Sequence, residues 1–352
     1  MTNYVHFTQS GNAGIIELDR PDALHALSID MVMKMAESLL LWQKDNTVGH
    51  IIICSTGERA FCSGGDVREA VSYVKAAPEG LSAEPYFREE YNLDNIIATY
   101  SKPIISLVNG VVMGGGLGLC HNGTITIVSE TIKCAMPETA IGLFPDVGAS
   151  LFLRTPGIPV GLMLGMTGQI IGAGDALRWQ IANNCVPFSQ FRELKKKLCS
   201  SESHILALQN VIAEFEIPSP KAEFALKEEL INTLFQGSVT QIIANVEAHL
   251  TISEVAKWHQ ALTTRCPASI YVIHRLLSQM SPSVSVTEAL QMDFQLACNM
   301  MRRSDFSEGV RAVLIDKDNN PIWAPDKIES VTETDINSIF QFDSSLTLHK
   351  TQ

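Results

Sequence analysis

The chain has 352 residues, of which 46% are hydrophobic and 18% charged, and its formal net charge is −12. This length suits one large domain with an appended lobe, and the composition supplies enough apolar residues for a buried core. The acidic balance argues against a broad basic face, so we expect no nucleic-acid partner.

The cysteines and the apolar stretches bear on the compartment. The eight cysteines include no Cys-x-x-Cys pair, and several lie inside apolar runs. That usage is typical of buried free thiols in a reducing environment. The N-terminus carries no signal pattern, and the most apolar stretch, 159–172, is short and interrupted by Gln169. These features predict a cytoplasmic protein with no segment embedded in a membrane.

The first part of the chain alternates between strand and helix patterns. Ser28 is a candidate N-cap for the first long helix, and the isoleucine run at 51–53 is typical of a strand buried on both faces. Strand pairs followed by a helix start recur along the chain, which favours an α/β fold. The predicted strands are 4–9, 13–18, 50–54, 103–108, 124–128 and 131–136, and the predicted helices begin near 28, 67, 114 and 147.

Helical spacing dominates from about residue 201. The predicted helical segments are 205–215, 221–235, 240–262, 267–280, 285–302 and 328–341, and 311–315 is the clearest strand-like run. We therefore predict a core at 1–200 that holds the site and a helical C-terminal lobe at 201–352. Residues 342–352 lack periodicity and are predicted to form a mobile tail. Residues 72–88 are predicted to form a loop over the site.

Two glycine-rich turns are candidates for binding an oxyanion. They are Phe-Cys-Ser-Gly-Gly-Asp (61–66) and Met-Gly-Gly-Gly-Leu-Gly (113–118). Backbone N–H groups stabilise the negative charge that a thioester oxygen gains when its carbon is attacked, and a close backbone approach favours glycine. Gly65 and Gly115 are the candidate donors. The alternative is that each glycine group only forms a tight turn between strand and helix.

Two acids, Glu138 and Asp146, follow in the segment 136–148. Each comes directly after a proline, which stiffens its position. Two carboxyls close together beside apolar walls should titrate apart, so that one stays protonated while the other supplies a base or nucleophile. The alternative is a pair of helix-cap or surface acids.

These motifs, in this order, resemble the crotonase (enoyl-CoA hydratase/isomerase) superfamily, and most of all its 3-hydroxyisobutyryl-CoA hydrolase branch. Further matching segments lie at 20–27, 87–91 and 305–318, so the resemblance spans roughly residues 5–340. It implies an α/β crotonase (ClpP-like) fold, which is a spiral of β-β-α turns, with a helical C-terminal lobe.

The resemblance also assigns roles to the catalytic candidates. Gly65 and Gly115 match the two oxyanion-hole positions. Glu138 matches the catalytic glutamate, and Asp146 matches the second acid that marks the hydrolases. Glu90 matches a substrate-contacting glutamate of that branch, with an exposed helix acid as its alternative.

A loop near the start of the chain matches a coenzyme-binding segment. His25, Ala26 and Leu27 match the loop whose backbone meets the adenine end of coenzyme A. The family usually has asparagine where this chain has His25, so only the backbone contacts are carried over.

A missing carboxylate bears on the reaction. Hydratases of the superfamily place a glutamate three residues after the middle glycine, where this chain has Gly118. The resemblance therefore implies hydrolysis of a short β-hydroxyacyl-CoA thioester, such as 3-hydroxyisobutyryl-CoA. The resemblance implies no metal and no cofactor, since coenzyme A is part of the substrate. An enoyl-CoA hydratase or isomerase, and a CoA-ester binding protein without turnover, are the alternatives. The expected partner is an acyl-CoA, and a homo-oligomer is left open.

Overall fold

The computed structural model describes residues 4–76 and 84–348, which form strands in the first half and helices throughout. The strands are β1 Val5–Ser10, β2 Ala13–Leu18, β3 His50–Ser55, β4 Ala60–Cys62, β5 Ile104–Val108, β6 Val111–Met113, β7 Ile125–Val128, β8 Lys133–Ala135 and β9 Asn184–Cys185. The helices up to residue 200 are α1 Ile29–Lys44, α2 Val67–Ala76, α3 Glu84–Ala98, α4 Gly115–His121, α5 Ala149–Phe152, α6 Ile158–Thr167, α7 Ala173–Arg178 and α8 Phe191–Ser200.

The strands form two sheets that the chain visits in turn. The larger sheet has the order β1-β2-β3-β5-β7-β9, and the smaller one has the order β4-β6-β8. Only the β1–β2 pair is antiparallel among these pairings. The first turn places β1 and β2 in the larger sheet before α1, and each of the next three turns adds one strand to the larger sheet, one to the smaller sheet, and then a helical segment. This arrangement is the predicted spiral of β-β-α turns.

The local sequence explains the elements that lead to the site. The Ser28 side chain accepts a hydrogen bond from the Met31 amide at 3.3 Å and so caps α1, as predicted. The first five residues of β3 are buried, which is what a central parallel strand covered on both faces requires. The predicted strands and helix starts of the first half are confirmed within a few residues.

The second half is helical, as predicted, with one exception. Its helices are α9 Ile205–Ala213, α10 Glu228–Leu234, α11 Val239–Glu247, α12 Ser253–Thr264, α13 Pro267–Gln279, α14 Val286–Met301, α15 Ser304–Val310 and α16 Glu333–Ile339. The strand predicted at 311–315 is wrong, because Arg311–Ile315 forms a π-helical turn that continues α15. The Arg311 side chain forms ion pairs with Glu308 one turn earlier and with Asp316 and Asp318 after the turn. These ion pairs favour the helical conformation of the backbone.

The predicted tail is partly ordered. Leu346 and Leu348 are mostly buried, and the Gln291 side chain on α14 bonds to the backbone of both residues at 2.8 and 2.9 Å. The prediction of a mobile tail is therefore wrong up to residue 348, since apolar side chains and an amide clamp hold it. The loop predicted at 72–88 is also wrong at its ends, which belong to α2 and α3, and its centre at 77–83 lies outside the described residues.

The helical half packs directly on the half that carries the sheets. One cluster of buried apolar side chains contains residues from both sides of position 200, and the rings of Phe87 on α3 and Phe306 on α15 lie 6.4 Å apart. The division into a core and a lobe at residue 200 stays a prediction. None of the helices in the described ranges is long and apolar enough to cross a membrane.

Candidate active site

The two glycine turns lie side by side. Gly65 follows β4 and Gly115 follows β6, and these strands are parallel neighbours in the smaller sheet. A Cβ atom built on Gly115 would lie 3.3 Å from the amide nitrogen of Gly65. Within residues 4–76 and 84–348, neither of these two amide nitrogens donates a hydrogen bond. The two turns therefore bring two amide groups with no internal acceptor close together, and an oxyanion site requires two such donors.

Glycine is needed at both turns because Glu90 points at them. A Cβ on Gly65 would lie 2.6 Å from the Tyr86 hydroxyl oxygen and 3.0 Å from Glu90 Oε1. A Cβ on Gly115 would lie 2.3 Å from the same Glu90 oxygen. Those distances are too short for a side-chain carbon, so the glycines make room for a carboxyl group. The structure thus places Glu90 beside both predicted oxyanion donors.

Glu138 reaches the site from the third strand of the smaller sheet. It begins a short 3₁₀ turn, Glu138–Ile141, soon after β8, the neighbour of β6. Its Oε1 lies 2.6 Å from the Cβ position of Gly114, whose φ is +51°. The residue is 6% exposed, and its Oε2 is buried with no hydrogen-bond partner in the part of the chain described. A buried carboxyl oxygen without a partner is poised for a ligand rather than for structure.

Asp146 lies in the next loop, in a turn with two left-handed residues. Val147 has a φ of +51° and Gly148 a φ of +81°, and the Asp146 carbonyl accepts from the Ala149 amide at 2.8 Å. The Asp146 carboxyl is buried and accepts a short hydrogen bond from the Tyr91 hydroxyl on α3. The interpretation of Glu138 and Asp146 as surface or cap acids is therefore wrong, since both are buried at one site.

The two acids titrate apart. Burial raises the pKa of Asp146 to about 6, although the hydrogen bond from Tyr91 opposes the shift. Burial, followed by the charge on Asp146, raises the pKa of Glu138 well above its usual range, and the guanidinium of Arg265 opposes that rise. Near neutral pH the pair therefore holds one negative charge and one proton. Such a pair can supply a base or nucleophile and an acid from neighbouring groups.

A further acid, Asp94, was missed by the sequence analysis. It lies one helical turn after Glu90 on α3, it is 1% exposed, and its Oδ2 has no hydrogen-bond partner among the described residues. Its Oδ1 lies 2.6 Å from the Cβ position of Gly118. The missing side chain at Gly118 thus leaves space that the Asp94 carboxyl fills. The four-residue spacing of Glu90 and Asp94 was the available signal, because it places both on one helix face.

Burial keeps both of these helix acids protonated longer than usual. Burial, with a smaller contribution from the charge on Asp146, raises the pKa of Glu90 to about 8. Burial and the charges on Glu90, Asp146 and Asp293 raise the pKa of Asp94 well above its usual range. At neutral pH both carboxyls are mostly uncharged, and an uncharged carboxyl can donate a hydrogen bond as well as accept one.

The predicted coenzyme loop is fastened to the first glycine turn. The Leu27 amide donates to the Gly64 carbonyl at 2.9 Å, and the Leu27 carbonyl accepts from the Asp66 amide and the Tyr86 hydroxyl, both at 2.8 Å. The Ala26 carbonyl accepts from the Arg20 guanidinium at 2.9 Å. These bonds hold the 25–27 loop against the turn that carries Gly65.

The His25 side chain has a structural role in this loop. It is 2% exposed; its Nδ1 accepts from the Arg20 amide, and its Nε2 donates to the Thr56 carbonyl, each at 2.9 Å. Burial lowers the pKa of this imidazole, so it is neutral at physiological pH. The ring thus holds the left-handed turn at Leu24 and His25 from inside, where it cannot face a ligand.

Metal-binding groups and cysteines add little to the site. In the stretches 4–76 and 84–348, no group of three or more His, Cys, Asp or Glu side chains could hold a metal ion. All eight cysteines are free and buried, as predicted. Burial raises the pKa of the Cys62 thiol, which lies next to the first glycine turn, to about 12, so it is not a nucleophile.

Comparisons with known proteins point to one family. A model of the enoyl-CoA hydratase/isomerase family matches residues 13–340. The chain is 40% identical to the mitochondrial 3-hydroxyisobutyryl-CoA hydrolase of Xenopus tropicalis, over 95% of this chain and 87% of that protein. It is 37% identical to the protein of the same name from Homo sapiens, with the same coverage. Because these relatives are named as mitochondrial, they give no support to the predicted cytoplasmic compartment.

Solved structures show the same fold over almost the whole chain. A carnitinyl-CoA dehydratase from Mycobacterium thermoresistibile superposes with a TM-score of 0.90 at 30% identity, over 99% of this chain and 100% of that one. An enoyl-CoA hydratase from Rhodobacter sphaeroides 2.4.1 superposes with the same TM-score and coverage at 33% identity. The fold predicted from the resemblance is confirmed.

Proposed function

Because the chain belongs to the enoyl-CoA hydratase/isomerase family, we propose that it hydrolyses a short β-hydroxyacyl-CoA thioester, with 3-hydroxyisobutyryl-CoA as its substrate. Curated relatives named for that activity are 35–40% identical to it over most of their length. The observation that carries the proposal is the buried pair Glu138 and Asp146, which shares one proton beside the paired glycine turns.

The glycine turns would hold the thioester oxygen. The Gly65 amide nitrogen lies 3.3 Å from the Cβ position of Gly115, and loss of one oxyanion donor typically costs about 2.7–4 kcal/mol of transition-state stabilisation. The loop at 25–27 would guide the coenzyme toward these donors through its backbone. No cofactor is proposed, because coenzyme A enters and leaves with the substrate.

The acid pair would perform the substitution at the carbonyl carbon. In one route the Glu138 carboxylate attacks that carbon, the C–S bond breaks, and the thiolate takes the proton from Asp146. Water then cleaves the mixed anhydride, which releases the free acid and restores Glu138. In the other route Glu138 removes a proton from water as the water oxygen attacks the carbonyl carbon, the C–S bond breaks, and the thiolate takes the proton from Asp146. In the free pair the higher pKa of Glu138 leaves the shared proton on Glu138 and the charge on Asp146. In both routes this proton therefore passes to Asp146 before Glu138 acts, so the active form of the pair carries one proton and one charge.

Glu90 would recognise the hydroxyl group of the acyl chain. Its Oε1 lies close to the Cβ positions of both Gly65 and Gly115, and burial, with the charge on Asp146, raises its pKa to about 8. An uncharged carboxyl can exchange a hydrogen bond with a substrate hydroxyl. A substrate without the hydroxyl would leave that buried group without a partner, which is a large penalty.

One observation favours a second candidate, a hydratase acting on an enoyl-CoA. The two full-length structural neighbours are described as a hydratase and a dehydratase. The Asp94 carboxyl also fills the space beside Gly118. Helix α3 therefore supplies an acid at the place where residue 118 has no side chain. Hydrolysis is the better-supported function, because Asp146 is buried near Glu138 and the relatives named as hydrolases are more similar to this chain than the two structural neighbours are.

An assay with two substrates tests the proposal. Purified protein is mixed separately with 3-hydroxyisobutyryl-CoA and with crotonyl-CoA, while free thiol and enoyl absorbance are followed. We expect thiol release from the first substrate and little loss of enoyl absorbance from the second. Efficient hydration of crotonyl-CoA without thiol release would establish the second candidate instead. Binding of both esters with neither reaction would make the protein a CoA-ester binder.

A further inference from the structure

The loop that carries Asp146 is held by a helix from the far end of the chain. The Gly148 amide donates to Asp293 Oδ2 on α14 at 2.8 Å, across 145 residues of sequence. Gly148 is two residues after Asp146 and adopts a left-handed conformation, as does the β-branched Val147 before it. A left-handed valine is unfavourable by itself, so surrounding contacts must maintain this turn.

The next residue of α14 reaches Asp146 by another path. The ring of Phe294 meets the ring of Tyr91 edge to face, with centroids 6.3 Å apart, and the Tyr91 hydroxyl donates to Asp146 Oδ2. Two consecutive side chains of α14 thus contact the two structures that locate the Asp146 carboxyl, its backbone turn and its hydroxyl donor. These two contacts suggest that α14 holds Asp146 in place as well as covering the site.

The surroundings of Asp293 bear on its protonation state. It is fully buried, and its Oδ1 has no hydrogen-bond partner among the described residues. Burial and the charge on Asp146 raise the pKa of Asp293, while the bond from Gly148 opposes the shift. The titratable groups that interact electrostatically with it are Asp146 on the loop and Tyr91 and Asp94 on α3. None of these three is a cation, and the charge on Asp146 favours an uncharged Asp293.

We propose that Asp293 is a positioning residue that, as an uncharged hydrogen-bond acceptor, fixes the 146–148 turn and thereby orients Asp146 toward Glu138. The inference rests on the proposed function and deepens it, because it makes the helical C-terminal half part of the catalytic arrangement. Asparagine offers the same acceptor oxygen, has the same shape and is also uncharged. Leucine has the same branched outline, with methyl groups in place of the two oxygens, and offers no acceptor.

The test compares Asp293→Asn and Asp293→Leu with wild type, and uses Thr287→Val as a control. Thr287 bonds Asn95 from α14 to α3 at 2.7 Å, so its loss weakens the same helix contact away from Asp146. We expect Asp293→Leu to lower kcat by about 10- to 100-fold, the effect of a misplacement of about 1 Å, with KM changed by less than about threefold. The acid limb of the kcat–pH profile should move as well. Asp293→Asn should keep both the rate and the profile, and Thr287→Val should lower Tm with kcat unchanged.

The outcomes separate the possibilities. Wild-type kcat and pH profile in Asp293→Leu would reduce Asp293 to a packing residue. An Asp293→Asn variant as slow as the leucine variant would show that a charge is needed, which would overturn the inference. If Asp293→Leu does not fold, the smaller Asp293→Ala carries the same prediction in the soluble fraction. Failure of wild type to hydrolyse the thioester would count against the proposed function, whereas differences among the variants test the positioning role alone.

Discussion

The glycine turns of the candidate site form its backbone half and the buried acids form its acid half, and different contacts hold the two halves in place. Gly65 and Gly115 follow neighbouring strands of one small sheet, so the β-β-α spiral places their N–H groups together. The acids come from α3, a 3₁₀ turn, an irregular loop and α14, and side-chain contacts bring them together. The difference teaches that the fold itself positions the proposed oxyanion donors, whereas the proposed catalytic acids are gathered from distant segments. Changes in the acid half should therefore alter chemistry more than binding.

The largest expected effect is that of Glu138→Gln. The substitution keeps the shape and removes the charge that attack requires, so hydrolysis should fall by about 10⁴-fold or more, as when a nucleophile is removed. Binding of the CoA ester, measured by calorimetry, should persist because the backbone half is untouched. Near-wild-type thiol release would remove Glu138 from the reaction.

Asp146→Asn should have the next largest effect. It removes the proton donor and leaves the hydrogen bond with Tyr91 geometrically possible, so kcat should fall by at least about 100-fold. KM should change much less. A rise in KM with an unchanged kcat would make Asp146 a binding residue and would contradict the division between the two halves.

Glu90→Ala should reduce substrate discrimination. The ratio of kcat/KM for 3-hydroxyisobutyryl-CoA over isobutyryl-CoA should shrink by at least about tenfold, because the buried partner of the hydroxyl is gone. Glu90→Gln should keep most of the discrimination, since an amide also donates and accepts. The control is Glu89→Gln, at the half-buried neighbouring acid. An equal ratio in all variants would return Glu90 to a structural role.

Tyr91→Phe should shift the pH dependence. The pKa of Asp146 is raised to about 6 by burial, and the Tyr91 hydroxyl holds it down. The acid limb of the kcat profile should therefore lie near pH 6 in wild type and move to higher pH in the variant. Tyr100→Phe is the matched control, since its hydroxyl bonds the Leu39 carbonyl away from the site at 2.7 Å. An acid limb that does not move would show that another group sets it.

The buried acids should also make stability fall as the pH rises. Burial raises the pKa of Glu90 from 4.5 to about 8, so the folded protein holds this proton more tightly than the unfolded chain. Its contribution is fully present below pH 4.5 and is lost as the pH rises through about 8. Urea unfolding should show a decline of up to about 1.4 kcal/mol per pH unit for each such carboxyl. Glu90→Gln should flatten that decline, and an unchanged slope would contradict the assigned protonation.

The sequence predicted the parts of the site that short motifs encode. Gly65, Gly115, Glu138 and Asp146 each lie in or beside a distinctive turn, and the structure brings all four together. The repeated strand pairs and helix starts predicted an α/β fold, and the resemblance to the crotonase superfamily supplied the spiral of β-β-α turns. The strand prediction at 311–315 failed because a short run of apolar residues is compatible with a strand and with a helical turn, and only the pairing of Arg311 with flanking acids distinguishes them.

The missed residues depend on contacts between distant segments. Asp94 looks like an ordinary polar position on a helix until the absence of a side chain at Gly118 gives its carboxyl a place. Asp293 lies on an amphipathic helix with no motif around it, and its bond to Gly148 exists only after α14 has packed on the first half. Local sequence contains no signal for a contact of that kind.

A double-mutant cycle on Glu138 and Asp146 tests the central claim most directly. The claim is that the two carboxyls act as one unit that shares a charge and a proton. Thiol release from 3-hydroxyisobutyryl-CoA would be measured for wild type, Glu138→Gln, Asp146→Asn and the double variant. We expect the double variant to be about as slow as Glu138→Gln alone, since removing one member disables the unit. Losses that multiply would show that the two acids act independently and would contradict the account.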